Sequence, residues 1–262
     1  MKLTVATWNI NSVRLRMKLV CRFLLRHRPD VLCLQETKSL PELVPTEECF
    51  DLGYEHIALR GQKSYNGVMI LSRHAFSSET DEDFLGNGTA RHVSVRLDNG
   101  IAIENCYVPA GGDVPDREVN PKFGEKLDYL NAMKRHYDNP PRKRSLLVGD
   151  LNVAPLEDDV WSHRQLLRVV SHTPIEVDAL NDVMKSGGWV DISRKHHPDG
   201  KLYSWWSYRA RDWRASDRGR RLDHIWATAD LAARSTSAEI LRSARGWERP
   251  SDHAPVIASF EI

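Results

Sequence analysis

The sequence predicts an α/β domain with mixed β-sheets, and three observations carry that expectation. Apolar runs of strand length recur along the whole chain, a few long amphipathic helices separate some of them, and others follow one another through turn residues. The chain has 262 residues, and no linker, repeat or low-complexity tract divides it, so residues 1–262 are expected to form one domain.

Leu3–Trp8 is rich in β-formers and stops at turn-prone Asn9, which predicts a first strand. Val13, Met17, Val20 and Leu24 then fall at helical spacing, while Arg14, Arg16, Lys18, Arg22, Arg26 and Arg28 add positive charge with no acid between them. A basic amphipathic helix ending at Pro29-Asp30 is expected. Val31–Leu34 is a continuous apolar run, the mark of a strand buried on both faces, and it leads into Gln35-Glu36-Thr37-Lys38. Strands at Tyr54–Leu59, Gly67–Ser72, His92–Leu97 and Ile101–Val108 read most simply as a meander, the last two joined by a hairpin at Asp98-Asn99-Gly100. Phe123, Leu127, Leu130, Lys134 and Tyr137 repeat at three and four, predicting a helix over Pro121–Tyr137 from which Lys134 snorkels. Leu146-Leu147-Val148-Gly149-Asp150 repeats the earlier design, a buried strand ending in an acid. Val177–Lys185 is expected to be helical and stopped by Gly187-Gly188, and Leu222–Thr228 and Ala254–Phe260 close the chain as strands.

Composition excludes several classes. Thirty-seven Lys and Arg balance 36 Asp and Glu, so a polyanion would have to be met by local clustering rather than by a global field. At 41% hydrophobic and 28% charged the chain is neither disordered nor collagenous, and no apolar run approaches the ~20 residues of a membrane span. The four cysteines include no C-x-x-C and read as reduced thiols. Strand-like sequence directly after Met1 leaves no room for a signal peptide, and the cytoplasm is the expected location. There is no H-E-x-x-H, and His196-His197, His163 and His172 lack metal-ligand spacing and read as loop and surface residues. Gly86-Asn87-Gly88 and Gly111-Gly112 fit neither a P-loop nor a dinucleotide turn, and no Gly-x-Ser-x-Gly elbow is present.

Four acids lie at or beside predicted strand ends: Glu36, Asp150, Asp223 and Asp252. Ligands collect at strand ends in α/β proteins, although acids also stand there because they favour turns. Strand alternation puts Asp223 on one face with Ile225 and Ala227, and a buried carboxylate needs a mate. His253 is a candidate, in a pair that would serve either structure or catalysis. Asn9, Glu36, Asp150, Asn152 and Asp252 are hard oxygen donors that suit Mg²⁺ or Mn²⁺ rather than zinc. Ser204–Arg221 combines Trp205, Trp206, Tyr208 and Trp213 with Arg209, Arg211, Arg214, Arg218, Arg220 and Arg221, a composition able to hold an unstacked nucleotide and its phosphates. A solvated basic loop with its tryptophans turned inward is the competing reading.

Taken in order, Trp8-Asn9-Ile10-Asn11-Ser12-Val13-Arg14, Leu34-Gln35-Glu36-Thr37-Lys38, Asn66-Gly67 through Arg73, Tyr107-Val108-Pro109, Gly149-Asp150-Leu151-Asn152, Arg221-Leu222-Asp223 and Ser251-Asp252-His253-Ala254-Pro255 resemble the exonuclease III family of abasic-site endonucleases across essentially the whole chain. The resemblance implies a four-layer α/β sandwich, two packed mixed β-sheets flanked by helices, in the superfold shared with deoxyribonuclease I. It implies Mg²⁺-dependent cleavage of duplex DNA on the 5′ side of abasic sites, with 3′-phosphatase, 3′-phosphodiesterase and 3′→5′ exonuclease action on blocked or recessed 3′ ends, by a protein that is a monomer by default and needs no membrane. Glu36 would be the principal metal ligand, with Asn9 and Asp252 completing the shell and Asp150 and Asn152 at its edge. Asp150 would activate the attacking water, which Asn152 helps to hold. His253, oriented by Asp223, would stabilise charge on the phosphoryl oxygens, while Tyr107 approaches the phosphate or the leaving group.

The same resemblance gives Trp205 and Leu222 to a pocket for a flipped abasic sugar, and Arg14, Lys38, Arg91 and Arg209 to contacts with the DNA backbone or to intercalation. This chain departs from the family at Ala110, where an amide is usual, at Arg220, where the animal branch has an aromatic pocket residue, and at Asn11, which replaces an acid. Relatives of the superfold act on sphingomyelin or inositol lipids, but a lipid enzyme should carry an exposed apolar hairpin and a targeting segment. A DNA-binding module without catalysis is disfavoured because every candidate catalytic position holds a competent residue.

Overall fold

The computed structural model describes residues 1–138 and 142–262. The strands are β1 (Lys2–Asn9), β2 (Val31–Gln35), β3 (His56–Arg60), β4 (Val68–Ser72), β5 (Phe76–Thr80), β6 (His92–Leu97), β7 (Ala102–Tyr107), β8 (Ser145–Asp150), β9 (Trp189–Asp191), β10 (Trp205–Trp206), β11 (Gly219–Arg220), β12 (Asp223–Thr228), β13 (Ser235–Ile240) and β14 (Val256–Glu261). Long helices span Val13–His27, Pro121–Tyr137 and Pro174–Ser186. Two six-stranded sheets, ordered β13-β14-β1-β2-β4-β3 and β5-β6-β7-β8-β12-β9, are each mixed, because β1 runs parallel to β2 and β7 parallel to β8 among antiparallel neighbours.

Strand alternation explains the layering. Val5, Val31, Cys33, Val68 and Ile70 of the first sheet meet Val93, Val95, Ile103, Leu146, Val148 and Ile225 of the second in one apolar cluster. The alternate residues Trp8, Leu32, Leu34 and Met69 face outward onto Val13, Met17, Val20 and Phe23 of the first long helix. On the other side Cys106, Leu147 and Trp226 meet Leu130, Met133 and Tyr137, together with Leu180 and Val183. The result is helix, sheet, sheet, helix, with central strands buried on both faces. A polar clamp crosses this apolar seam: Gln35 Nε2 donates to Asn105 Oδ1 (2.7 Å), and Asn105 Nδ2 donates to the carbonyls of Leu34 and Met69. No helix among the described residues is long and apolar enough to cross a membrane.

Several sequence expectations are corrected. The four-strand meander divides, β3 and β4 joining the first sheet while β6 and β7 pair in the second through the expected hairpin. Edge strands β5 and β13 add to the expected set; their residues are mostly exposed and polar and so carry no apolar alternation. The third long helix starts at Pro174 rather than Val177, since Glu176 reaches back to accept from Thr173 N (3.2 Å) and Oγ1 (2.6 Å). His172 is buried rather than on the surface: its Nδ1 donates to the Ala154 carbonyl (2.6 Å), so its Nε2 accepts from His163 Nδ1 (2.8 Å).

Arg221 is not part of an exposed basic loop. It is fully buried in an ion cluster, bidentate on Asp159 at 2.7 Å and bonded to Asp191 Oδ2 at 2.7 Å, with Arg194 completing the ring on Asp159 (2.5 Å). The cluster anchors the residue two before Asp223 and so sets where β12 begins. Burial alone would raise the Asp159 and Asp191 carboxyls, but the guanidiniums outweigh it and hold both below the ordinary range. Groups depressed in the folded state contribute stability above their unfolded pKa of about 3.9 and lose it as pH falls through the folded value, so this cluster should be intact at neutral pH and fail only in strong acid. Asp159→Ala strands two buried guanidiniums and is expected to lower stability by about 3–5 kcal/mol at pH 7 in urea denaturation; a loss under about 1 kcal/mol would show that the cluster is not an anchor.

Candidate active site

Both sheets present their chemistry at one rim. In the first, parallel β1 and β2 end side by side with Asn9 opposite Gln35, Glu36 follows, and antiparallel β14 is preceded by Asp252 and His253. The second repeats the scheme, with Tyr107 opposite Asp150 at the ends of parallel β7 and β8, and Asp223 opposite Asp150 at the start of antiparallel β12. Two parallel strands and one antiparallel strand from each sheet thus bring these groups together across the seam. Two glycines make the rim possible. A side chain at Gly67, where φ is +94°, would stand 2.0 Å from Thr37 Oγ1, and one at Gly149, where φ is +140°, would stand 1.9 Å from the Cys106 carbonyl.

Asn9 Nδ2 lies between the sheets, donating to Glu36 Oε1 (2.9 Å) and Asp150 Oδ2 (2.8 Å). Tyr107 Oη donates to Glu36 Oε1 (2.8 Å). Lys38 pairs with Glu36 Oε2 (2.6 Å) and donates to Asn11 Oδ1 (2.7 Å), and Asn11 Nδ2 donates to Asp252 Oδ1 (3.0 Å). Trp205 Nε1 binds the other Asp252 oxygen (3.0 Å). His253 Nδ1 donates to Asp223 Oδ2 (2.8 Å), leaving Nε2 aimed at Asp150 Oδ2 (3.7 Å). Asn152 Nδ2 donates to Val108 O and Asp150 Oδ2, and its Oδ1 has no partner among the described residues.

Charge follows from this packing. Burial works against a charged His253, but Asp223 and Asp150 outweigh it and raise the imidazole well above the ordinary histidine range. Burial pushes Asp150 up; the His253 charge opposes the rise and Asp223 adds to it. Glu36 and Asp252 move the other way, because Lys38 and Asn9 for the first, and His253, Asn11 and Trp205 for the second, outweigh burial. Burial and the Glu36 and Asp150 charges keep the Tyr107 phenol protonated far above its usual range.

The donor set fits a hard divalent cation. Glu36, Asp150, Asp252 and the free Asn152 Oδ1 are oxygens, and the four carboxylates, Asp223 included, contact only Lys38 and His253 as cations among the described residues. Asp150, Asp223 and His253 also bring ligand atoms within 4.8 Å of one another. A protonated imidazole bonded to Asp223 is not a ligand, however; Glu36 and Asp150, which accept from one Asn9 amide, are the adjacent carboxylates on the other side, and Asp252 joins them through Asn11 and Lys38. Asn9, expected among the oxygen donors, has its Oδ1 accepting from Asn11 N (3.0 Å) and its nitrogen facing the carboxylates.

Beside these residues opens a cavity of about 670 Å³ whose walls include Trp161, Trp205, Arg209, Arg218, Arg220 and Leu222. Trp205, Arg209 and Leu222 therefore stand together with Glu36, Asp150, Asp252 and His253, as does Ala110. The other three residues expected to contact DNA lie outside this wall. Arg14 is exposed on the first turn of its helix outside the cavity wall, and Lys38 is engaged with Glu36. Arg91 is buried with its guanidinium 4.7 Å from the Tyr107 ring centroid, where it packs the phenol in place instead of facing solvent. Trp206 is also buried and packs against Trp213, as the competing reading of that loop had it.

Sequence reasoning missed the groups that hold the site. Ser204 Oγ donates to Asp223 Oδ2 (2.6 Å) and accepts from Asp223 N, and Trp8 Nε1 binds the His253 carbonyl (3.0 Å). Lys126, wholly buried, pairs with Glu176 and donates to the Asn152 carbonyl (2.7 Å). Its position three residues after Phe123, on the apolar stripe, was the available signal. Lys134, expected to snorkel from that helix, is half-buried and carries its Nζ to within 3.7 Å of Asp182 Oδ2 at the surface. Lys126→Met leaves Glu176 buried and unpaired and is expected to cost about 3–5 kcal/mol in urea denaturation, whereas Lys134→Met should change stability by less than about 0.5 kcal/mol; equal effects would refute the assigned anchor.

The chain matches the sequence model of the Endonuclease/Exonuclease/phosphatase family over residues 6–253. It is 29% identical to exodeoxyribonuclease III of Haemophilus influenzae over 274 aligned residues, which cover 97% of this chain and 98% of that protein. Its fold is similar to that of an AP endonuclease from Archaeoglobus fulgidus, with a TM-score of 0.91 and 31% identity over 99% of this chain and 100% of that one. It is similar as well to a 3′ phosphatase from Neisseria bound to product DNA hairpin, with a TM-score of 0.90 and 28% identity over 99% and 100% of the two chains. A match that spans nearly the whole sequence, on a fold that brings its motifs to one rim, makes this chain a member of the endonuclease/exonuclease/phosphatase family.

Proposed function

We propose that the protein is a metal-dependent DNA-repair nuclease that hydrolyses phosphodiesters of duplex DNA, incising 5′ to abasic sites and trimming 3′ ends as an exonuclease and 3′-phosphatase. The observation that carries this reading is the convergence of Glu36, Asp150 and Asp252 with the His253–Asp223 pair on the rim shared by both sheets. The names of the relatives, an exodeoxyribonuclease, an AP endonuclease and a 3′ phosphatase, supply the substrate class.

Glu36 and Asp252 would hold Mg²⁺ or Mn²⁺, with Asp150 and Asn152 Oδ1 beside it, and the bound ion would neutralise charge on the phosphoryl oxygens. Asp150, whose carboxyl is raised by burial, takes the proton of the attacking water, and Asn152 keeps the Asp150 carboxylate oriented through its Nδ2. His253 is held protonated by Asp223, itself fixed by Ser204, so its Nε2–H faces the negative charge that builds on phosphorus. The Tyr107 phenol is a second donor on the opposite side of Asp150 in the strand register. Trp205 and Leu222 offer apolar surface to an abasic sugar, and Arg209 in the cavity wall and exposed Arg14 outside it offer charge to backbone phosphates. Aromatic and guanidinium walls favour a nucleotide over an acyl lipid.

A duplex with one tetrahydrofuran abasic analogue should be nicked 5′ to the analogue with Mg²⁺ present and left intact with chelator, and a recessed 3′ end and a 3′-phosphate should be processed beside it. Release of phosphocholine from sphingomyelin with no nicking would move the assignment to the lipid branch. Asp223→Asn should leave the fold in place and lower kcat by about 10²-fold or more with little change in KM, since it removes the charge that holds His253 protonated.

A further inference from the structure

The cavity beside the catalytic rim carries charge that the hydrolysis proposed above does not use. Trp205 joins the two regions: its Nε1 binds Asp252, and its ring lies 5.3 Å from the Arg220 guanidinium carbon. Arg220 Nη1 is tied to the Val170 carbonyl (2.8 Å) and to Ser171 Oγ (2.7 Å), while its Nε is buried with no partner. Arg218 stands over Trp161 at 4.7 Å, so two arginine–tryptophan pairs flank one apolar floor formed by Leu222, Val169 and the indoles. Neither arginine forms a salt bridge among the described residues. Glu176, whose charge acts on Arg220, is already paired with Lys126. Asp113 is a further acid in the cavity wall, and it is exposed.

A partly buried guanidinium with no counter-ion is unfavourable unless a ligand brings the anion. With Nη1 tied to Val170 and Ser171 and Nε buried, Nη2, which has no partner among the described residues, is the donor left for a carboxylate or phosphate oxygen, beside the Trp205 ring. The group that enters this cavity, if the nuclease reading is right, is whatever remains esterified to the scissile phosphorus on its 3′ side. We propose that Arg220, assisted by Arg218, forms an anion subsite that binds a negatively charged group on the 3′ side of the scissile phosphate, either a terminal carboxylate or the next phosphate. The protein then selects its substrate by charge at this position as well as by the missing base.

Two matched pairs of duplexes test this. The first pair carries a nick ending in a 3′-phosphoglycolate or in the corresponding 3′-phosphoethyl ester, which differ by one carboxylate. The second carries an internal tetrahydrofuran followed by an ordinary phosphodiester or by an uncharged methylphosphonate. The native protein should favour the charged member by about tenfold or more in kcat/KM, through KM. A preference in the first pair alone identifies a carboxylate, in the second alone a strand phosphate, and in both a general anion site. Arg220→Leu should collapse the preference to near unity, and Arg220→Lys should restore part of it. Arg218→Leu, at an exposed position, repeats the test if Arg220→Leu does not fold, and should reduce the preference. Equal cleavage within both pairs by the native protein overturns the subsite while leaving the nuclease reading intact. So does a variant that slows charged and uncharged members alike. Failure to cleave any of the four removes both.

Discussion

One amide holds the two halves of this molecule to a common purpose. Asn9 Nδ2, at the end of a strand in the first sheet, donates to Glu36 of that sheet and to Asp150 of the other, so two carboxylates that would repel each other across the seam are kept at hydrogen-bond distance from a shared donor. Every other group at the rim is placed relative to this bridge. Tyr107 reaches the Glu36 oxygen that the bridge already binds, and His253 points at the Asp150 oxygen that it also binds. A cation entering the site would meet a cluster organised before its arrival, which is what low reorganisation during catalysis requires.

Such an arrangement is held against local preference. Asn11, Glu36, Lys38 and Asn152 all have left-handed backbones, with φ of 48°, 53°, 51° and 53°, a conformation that costs a non-glycine residue about 1–3 kcal/mol. The surroundings over-determine it. The Glu36 carbonyl accepts from Ser12 N, Thr37 N and Lys38 N are bound by the carbonyls of Gly67 and Asn66, and the Asn152 carbonyl is held by Lys126. Ser204 and the Asp159–Arg221 cluster do the same for Asp223. The chemistry therefore depends on buried polar groups a layer behind it, each satisfied by a partner far away in sequence, and the cavity lined by Trp205 and Arg220 is built onto that frame.

Much of the architecture was legible because burial on both faces writes continuous apolar runs, and Val31–Leu34 and Leu146–Val148 were read correctly for that reason. Asp223 and His253 could be paired from strand alternation and the cost of a lone buried carboxylate. Exposed edges such as Ser235–Ile240 could not be seen, since solvent-facing strands need no pattern. The division of the expected meander between two sheets, and the burial of Arg91, Arg221, His172 and Lys126, were likewise beyond local signals. A polar side chain looks the same in sequence whether water or a distant partner satisfies it.

The sequence by itself determined which segments become strands and helices and which residue types stand at the strand ends, because periodicity and turn chemistry act within a few residues. Only the tertiary structure decided that Glu36, Asp150, Asp223 and His253 share one rim, that Asn9 turns its nitrogen rather than its oxygen to the carboxylates, and which arginines remain without a carboxylate partner. Those outcomes depend on which two sheets pack and in what register. That choice is made by contacts between residues a hundred or more positions apart, as in Asn9 with Asp150, and no local pattern encodes it.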